Sequence, residues 1–119
     1  MHILLVDDDS FLRDMYATKF KEAGHTVDAA ENGEAALSAI AQTNYDVVLL
    51  DMVMPGMNGA ELLSKATKTK PDTAFVVLSN QGEESDKSVA KEAGAVGYIV
   101  KAESIPSEVV KKVESIVMK

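Results

Sequence analysis

Asp46-Val47-Val48-Leu49-Leu50-Asp51 is the stretch that decides the fold. Four apolar residues stand in a row, two of them β-branched, with an acid on either side. A strand with one face in water alternates polar and apolar positions; an unbroken run belongs to a strand covered on both faces, as in a parallel sheet. Outward from it, Ile3 to Val6 is a second such run, Phe75 to Leu78 a third that ends at Ser79, and Gly97 to Val100 a fourth that ends at Lys101. Thr26 to Ala30 reads as a weaker strand.

Helical periodicity fills the gaps. Between Ser10 and Ala23 the residues Leu12, Met15, Tyr16 and Phe20 recur at helical spacing, and Gly24 stops the pattern. After the Asn32-Gly33 turn, Ala36, Leu37 and Ile40 mark a second helix. A third is predicted from Gly59 to about Lys68, with a turn at Pro71-Asp72. The polar stretch Asn80 to Asp86 leads into a fourth that ends at Gly94. Pro106 opens the last, with Val109, Val110, Val113, Ile116 and Val117 on its apolar side. Strands that alternate with helices give an α/β sheet, parallel, with helices on both faces. The 119 residues suit one domain, expected to span 1–119, with no linker or repeat.

Composition narrows the function. A net charge of −7 argues against nonspecific nucleic-acid binding and against anionic membranes, both of which need clustered cations. No apolar run approaches the roughly 18 residues of a spanning helix, and the N-terminus lacks the basic start and cleavage site of a signal peptide. The absence of cysteine removes disulfides and thiolate chemistry and suits a cytoplasmic protein. His2 and His25 have no metal-ligand spacing and read as ordinary surface or strand-end residues.

Doubly wound sheets bind ligands beyond the carboxyl ends of their strands. Asp7, Asp8 and Asp9 follow the first strand, Asp51 the third, Ser79 the fourth and Lys101 the fifth. An apolar core needs none of them. Asp9 or Ser10 is expected to cap the first helix, which leaves Asp7, Asp8 and Asp51 to converge. Converging carboxylates repel, and a hard divalent cation relieves the repulsion. Oxygen donors without Cys or His favour magnesium over zinc.

Val6-Asp7-Asp8, Leu50-Asp51-Met52-Val53-Met54-Pro55-Gly56-Met57-Asn58-Gly59, Val77-Leu78-Ser79 and Gly97-Tyr98-Ile99-Val100-Lys101 together resemble the receiver domain of two-component response regulators, over essentially the whole chain. The resemblance implies a flavodoxin-like (βα)5 fold with strand order 2-1-3-4-5. It implies that Asp51 accepts a phosphoryl group from a histidine kinase or histidine phosphotransfer protein. Asp8, Asp51 and the Val53 backbone carbonyl would ligate Mg2+, with Mn2+ able to substitute, and Asp7 would act through water. Lys101 would pair with Asp51 and then with phosphoryl oxygens. Ser79 would bind a phosphoryl oxygen, and Tyr98 would be the aromatic switch. Val53, Asn80 and Gln81 would tune the lifetime of the phosphorylated state. The output would be a protein target or an output domain, with a homodimer through the helix 4–strand 5–helix 5 face also allowed.

Two positions depart from the family pattern. Ala102 stands where receivers commonly carry proline, so the Lys101-Ala102 bond is expected trans. Asn80 stands where a small residue is usual, and would narrow access to Asp51 or donate to a phosphoryl oxygen. The chain is expected to be a signalling module rather than an enzyme acting on other substrates. A magnesium-dependent phosphatase with an aspartyl nucleophile is the competing reading; it would carry a second acid two residues after Asp51, where Val53 stands. A receiver-like module that is never phosphorylated would not need the full set of acids, hydroxyl and lysine.

Overall fold

In the computed structural model, which describes residues 1–118, the chain forms five parallel strands and five α-helices. Lys119, the last residue of the expected domain, lies outside the described residues. The strands are β1 (His2–Val6), β2 (Thr26–Ala30), β3 (Val47–Leu50), β4 (Ala74–Ser79) and β5 (Gly97–Val100). The helices are α1 (Ser10–Glu22), α2 (Gly33–Gln42), α3 (Gly59–Thr69), α4 (Glu84–Glu92) and α5 (Pro106–Val117), and a 3-10 turn spans Lys101–Glu103.

The sheet order is β2-β1-β3-β4-β5, as the sequence led us to expect. All four residues of β3 are buried because the sheet is clad on both sides. Period-two alternation divides each strand between two cores. Val48 and Leu50 face the layer of α2, α3 and α4, where Ala36, Ile40, Leu62, Leu63 and Ala90 pack. Val47 and Leu49 face Tyr16 and Phe20 of α1 and Val109, Val110 and Val113 of α5. With right-handed crossovers, that division of helices follows from the reversal of strand order at β1 and β3. The reversal opens a crevice at their carboxyl ends.

Two expectations need refinement. The fourth helix begins at Glu84, inside the polar stretch, and its N-cap Glu83 makes no side-chain capping bond, so no cap signal marked its start. His25 stands at a strand end as expected, but it is not a surface residue. Its side chain is 6% exposed, with Nε2 2.7 Å from Glu114 Oε2 on α5. His2 opens β1 and pairs with Asp28.

Candidate functional site

Each acid of interest sits one or two residues past a buried strand, where the backbone leaves the sheet. Val6 and Leu50 pair in register, so Asp7 and Asp51 emerge side by side. Asp9 caps α1 through Oδ1, which accepts from the Leu12 N–H at 3.1 Å, as expected for one of Asp9 and Ser10. The loop after Asp51 is drawn under the site by α3: the Gly59 N–H donates to the Met52 carbonyl at 3.1 Å. A Cβ on Gly59 would stand 2.5 Å from the Asp51 backbone oxygen and 2.6 Å from Met52 Cα. Only glycine allows that approach.

Asp51 is 8% exposed and bonded at both oxygens. Its Oδ1 accepts from the Ser79 hydroxyl at 2.9 Å and from the Val53 N–H at 3.1 Å. Its Oδ2 accepts from Lys101 Nζ at 3.0 Å. Lys101 lies closer to Asp7 than to Asp51, with Nζ 2.7 Å from Asp7 Oδ2. Asp7 Oδ1 in turn accepts from the Asp9 N–H at 3.0 Å. Burial disfavours the Lys101 ammonium, but the hydrogen bonds and charges of Asp7 and Asp51 outweigh it, and the Lys101 pKa stands above its ordinary 10.5. Asp8 differs from its neighbours: it is exposed, and among the described residues its carboxylate accepts no hydrogen bond.

Above these groups lies an open depression of about 380 Å3, with Asp7, Asp8, Asp51, Ser79 and Lys101 on its floor. Val53, Asn80 and Gln81 also line it, all three exposed. Carboxylate oxygens of Asp7, Asp8 and Asp51 lie within 4.8 Å of one another. One free carboxylate beside two that are already oriented, with oxygen donors alone, fits a hard divalent cation such as Mg2+. The surplus is also right, since three carboxylates face a single ammonium.

Tyr98 stands beside this depression rather than in it. It is half-buried, and its hydroxyl donates to the Gln81 backbone carbonyl. Burial raises its pKa above 10.0; the nearby Ser79 side chain opposes this, and the charges of Asp86 and Asp51 add to it. The Gln81 N–H lies 3.3 Å from Ser79 Oγ, so Asp51, Ser79, Gln81 and Tyr98 form one hydrogen-bonded chain. The Lys101-Ala102 bond is trans, as expected.

The expected residues Asp7, Asp8, Asp51, Ser79 and Lys101 are all brought together, and Val53, Asn80 and Gln81 ring them. Sequence reading passed over Arg13, whose Nη1 donates to the Asp7 carbonyl at 2.8 Å. The one available signal was an arginine on the opening turns of the helix that follows three aspartates.

The sequence profile of the response regulator receiver domain matches residues 3–114. Transcriptional regulatory protein ResD of Bacillus subtilis is 37% identical over 114 residues, which are 96% of this chain and 47% of that protein. This chain therefore spans about half the length of the curated relatives it matches. A CheY-like response regulator receiver domain protein from Methanospirillum hungatei superimposes with a TM-score of 0.92 at 27% identity, covering 98% of this chain and 93% of that one. Response regulator TrrA from Thermotoga maritima, solved in complex with Mg2+-BeF, superimposes with a TM-score of 0.86 at 34% identity, covering 97% of each chain.

Proposed function

This chain belongs to the response regulator receiver family of two-component signalling, whose function is to be phosphorylated on an aspartate, and we propose that Asp51 is its phosphoacceptor. The observation that carries this is the setting of Asp51. It is buried at the end of β3, held at both oxygens and open to a depression with a surplus of acids.

A carboxylate oxygen of Asp51 attacks phosphorus of a phosphohistidine. The new O–P bond forms as the P–N bond breaks, and the imidazole nitrogen keeps the electron pair and takes a proton. The protein's share in such a transfer is positioning and charge neutralisation. Mg2+ held by Asp8, Asp51 and the Val53 carbonyl, with Asp7 through water, would neutralise charge on the transferring group. Mn2+ has the donor preferences to replace it. Lys101 already bridges Asp7 and Asp51, so it can exchange Asp51 for a phosphoryl oxygen without losing Asp7. The Ser79 hydroxyl, released from Asp51 Oδ1, turns to a phosphoryl oxygen. Its movement pulls on Gln81 and through it on Tyr98, a path supported by the chain of bonds that joins them. Val53, Asn80 and Gln81 control how readily water reaches the phosphorylated Asp51, and so its lifetime.

Receiver domains interact with histidine kinases and downstream effectors. We read the donor as a histidine kinase or phosphotransfer protein, and the output as a change in affinity for a protein target or an output domain. A homodimer would form through α4, β5 and α5, where Val89 and Val96 are exposed. Residues 1–119 would act as a single receiver domain that catalyses only its own phosphorylation and dephosphorylation. No helix among the described residues is long and apolar enough to cross a membrane. The cytoplasm is the proposed place of action, in keeping with the acidic, cysteine-free composition.

Beryllofluoride binding tests the site. It should require Mg2+ and be lost in Asp51→Asn; binding that survives Asp51→Asn would reject Asp51 as the acceptor.

A further inference from the structure

Asp7 and Asp51 have their carboxylates fixed by hydrogen bonds, but Asp8 does not. Among the described residues no hydrogen bond aims the Asp8 carboxylate, so its direction depends on the peptide that joins Asp7 to Asp8. One group holds that peptide at its carbonyl. Arg13 Nη1 donates to Asp7 O at 2.8 Å. The backbone of Arg13 is fixed in turn by its N–H, which donates to Asp9 O at 2.9 Å. The guanidinium stands among Asp7, Asp8, Asp9 and Asp14 in sequence, yet among the described residues it forms no ion pair with any of them. It is committed to a main-chain oxygen at the rim of the acid cluster.

We propose that Arg13 is a positioning residue for the cation site: by clamping the Asp7 carbonyl it aims the otherwise unheld Asp8 carboxylate, and so sets divalent-cation affinity. The inference rests on the reading of Asp8 and Asp51 as magnesium ligands. Hydrogen bonds that orient a ligand from behind are worth about 10-fold or more in metal affinity.

Charge and geometry predict opposite signs, which makes the proposal testable. Arg13 is a cation beside a cation site, so its charge alone repels Mg2+; deleting that charge would tighten binding. Loss of the clamp frees the peptide to turn, which weakens binding. Arg, Lys and Gln have similar helix propensities, so Arg13→Gln and Arg13→Lys keep α1 intact.

The experiment is calorimetric titration of the whole chain with MgCl2, repeated with Mn2+ followed by its paramagnetic resonance. Wild type, Arg13→Gln, Arg13→Lys and Asp8→Asn are compared, with a metal-free thermal melt for each. We expect Arg13→Gln to bind about 10-fold more weakly. Arg13→Lys, which keeps the charge but has a single donor nitrogen without the planar fork, should fall between it and wild type. The metal-free melts should stay close to wild type. Binding by Arg13→Gln that is equal or tighter, with Arg13→Lys like wild type, overturns the proposal. So does a loss of affinity that only tracks a lower melting temperature. Wild type that fails to bind, or binds no better than Asp8→Asn, rejects the magnesium reading itself, and the role of Arg13 with it.

Discussion

The two ends of the sheet both carry charged clusters, and they use them differently. At the amino end, the partners are matched. Asp28 Oδ2 accepts from the Tyr45 hydroxyl at 2.8 Å and lies 3.0 Å from His2 Nε2. The Asp46 carboxylate accepts from the His2 N–H at 2.7 Å, and His25 joins the α-amino group of Met1 to Glu114. At the carboxyl end, Asp7 and Asp51 share the Lys101 ammonium, and among the described residues Asp8 beside them has no hydrogen-bond partner and borders an open depression. Acids that have partners tie secondary elements together. An acid that the fold brings to an open depression beside two others, without a hydrogen-bond partner of its own, is available to a cation that relieves their repulsion. That available acid, and not the charge count, is what separates the two ends.

The contrast can be broken at either end. The largest effect is expected from Lys101→Met, which removes the ammonium that bridges Asp7 and Asp51. Transfer from a small phosphodonor should slow by about 100-fold, read as the rate of mass gain. A rate near wild type would mean that Lys101 only holds the apo structure together.

Next comes the cation. Mg2+ at about 100 times its dissociation constant should raise stability by about 2.7 kcal/mol. Asp8→Asn should abolish that gain and Asp28→Asn at the other end should keep it, as urea denaturation can show. Equal losses in both variants would erase the distinction between the ends.

His25→Ala comes third. It removes a buried ring bonded to a carboxylate and should cost about 2 kcal/mol with no change in phosphorylation. A change in phosphorylation would show that the two ends communicate.

The titrations are the smallest effects. At the carboxyl end the Lys101 pKa is raised above 10.5, so the stability it contributes is fully present below that pH and lost as pH rises through the folded-state value. At the amino end, burial and then Asp28 push Tyr45 up to about 12. Its tyrosinate absorbance should be the last to appear, and Asp28→Asn should bring it earlier. Asp28 itself is lowered from 3.8, first by the Tyr45 hydroxyl, so its contribution is present above that pH and lost as pH falls. Acid stability that is unchanged in Asp28→Asn would show that this contribution is negligible.

The same contrast governs what could be read from sequence. The fold was legible because it rests on local signals: the runs Val47 to Leu50 and Ile3 to Val6, the stop at Gly24, the proline that opens α5. The carboxyl-end residues were legible because topology delivers whatever follows a buried strand to one place. Asp7, Asp51, Ser79 and Lys101 needed no contact map. Apart from Lys101 with Asp51, which the family resemblance implied, the pairings were not legible. Lys101 meets Asp7 across 94 residues of sequence, and His25 meets Glu114 across 89. No periodicity encodes such meetings, and that is why the burial of His25 and the closer partner of Lys101 emerged only with the coordinates. Arg13 escaped for a subtler reason: it acts on a main-chain carbonyl, which every residue has and no motif records.

Everything at the carboxyl end turns on Asp51 taking the phosphoryl group. The direct measurement is intact mass after incubation with Mg2+ and acetyl phosphate, wild type beside Asp51→Asn. Wild type should gain a single phosphoryl group and the variant none. Labelling of Asp51→Asn to the same extent as wild type would contradict that.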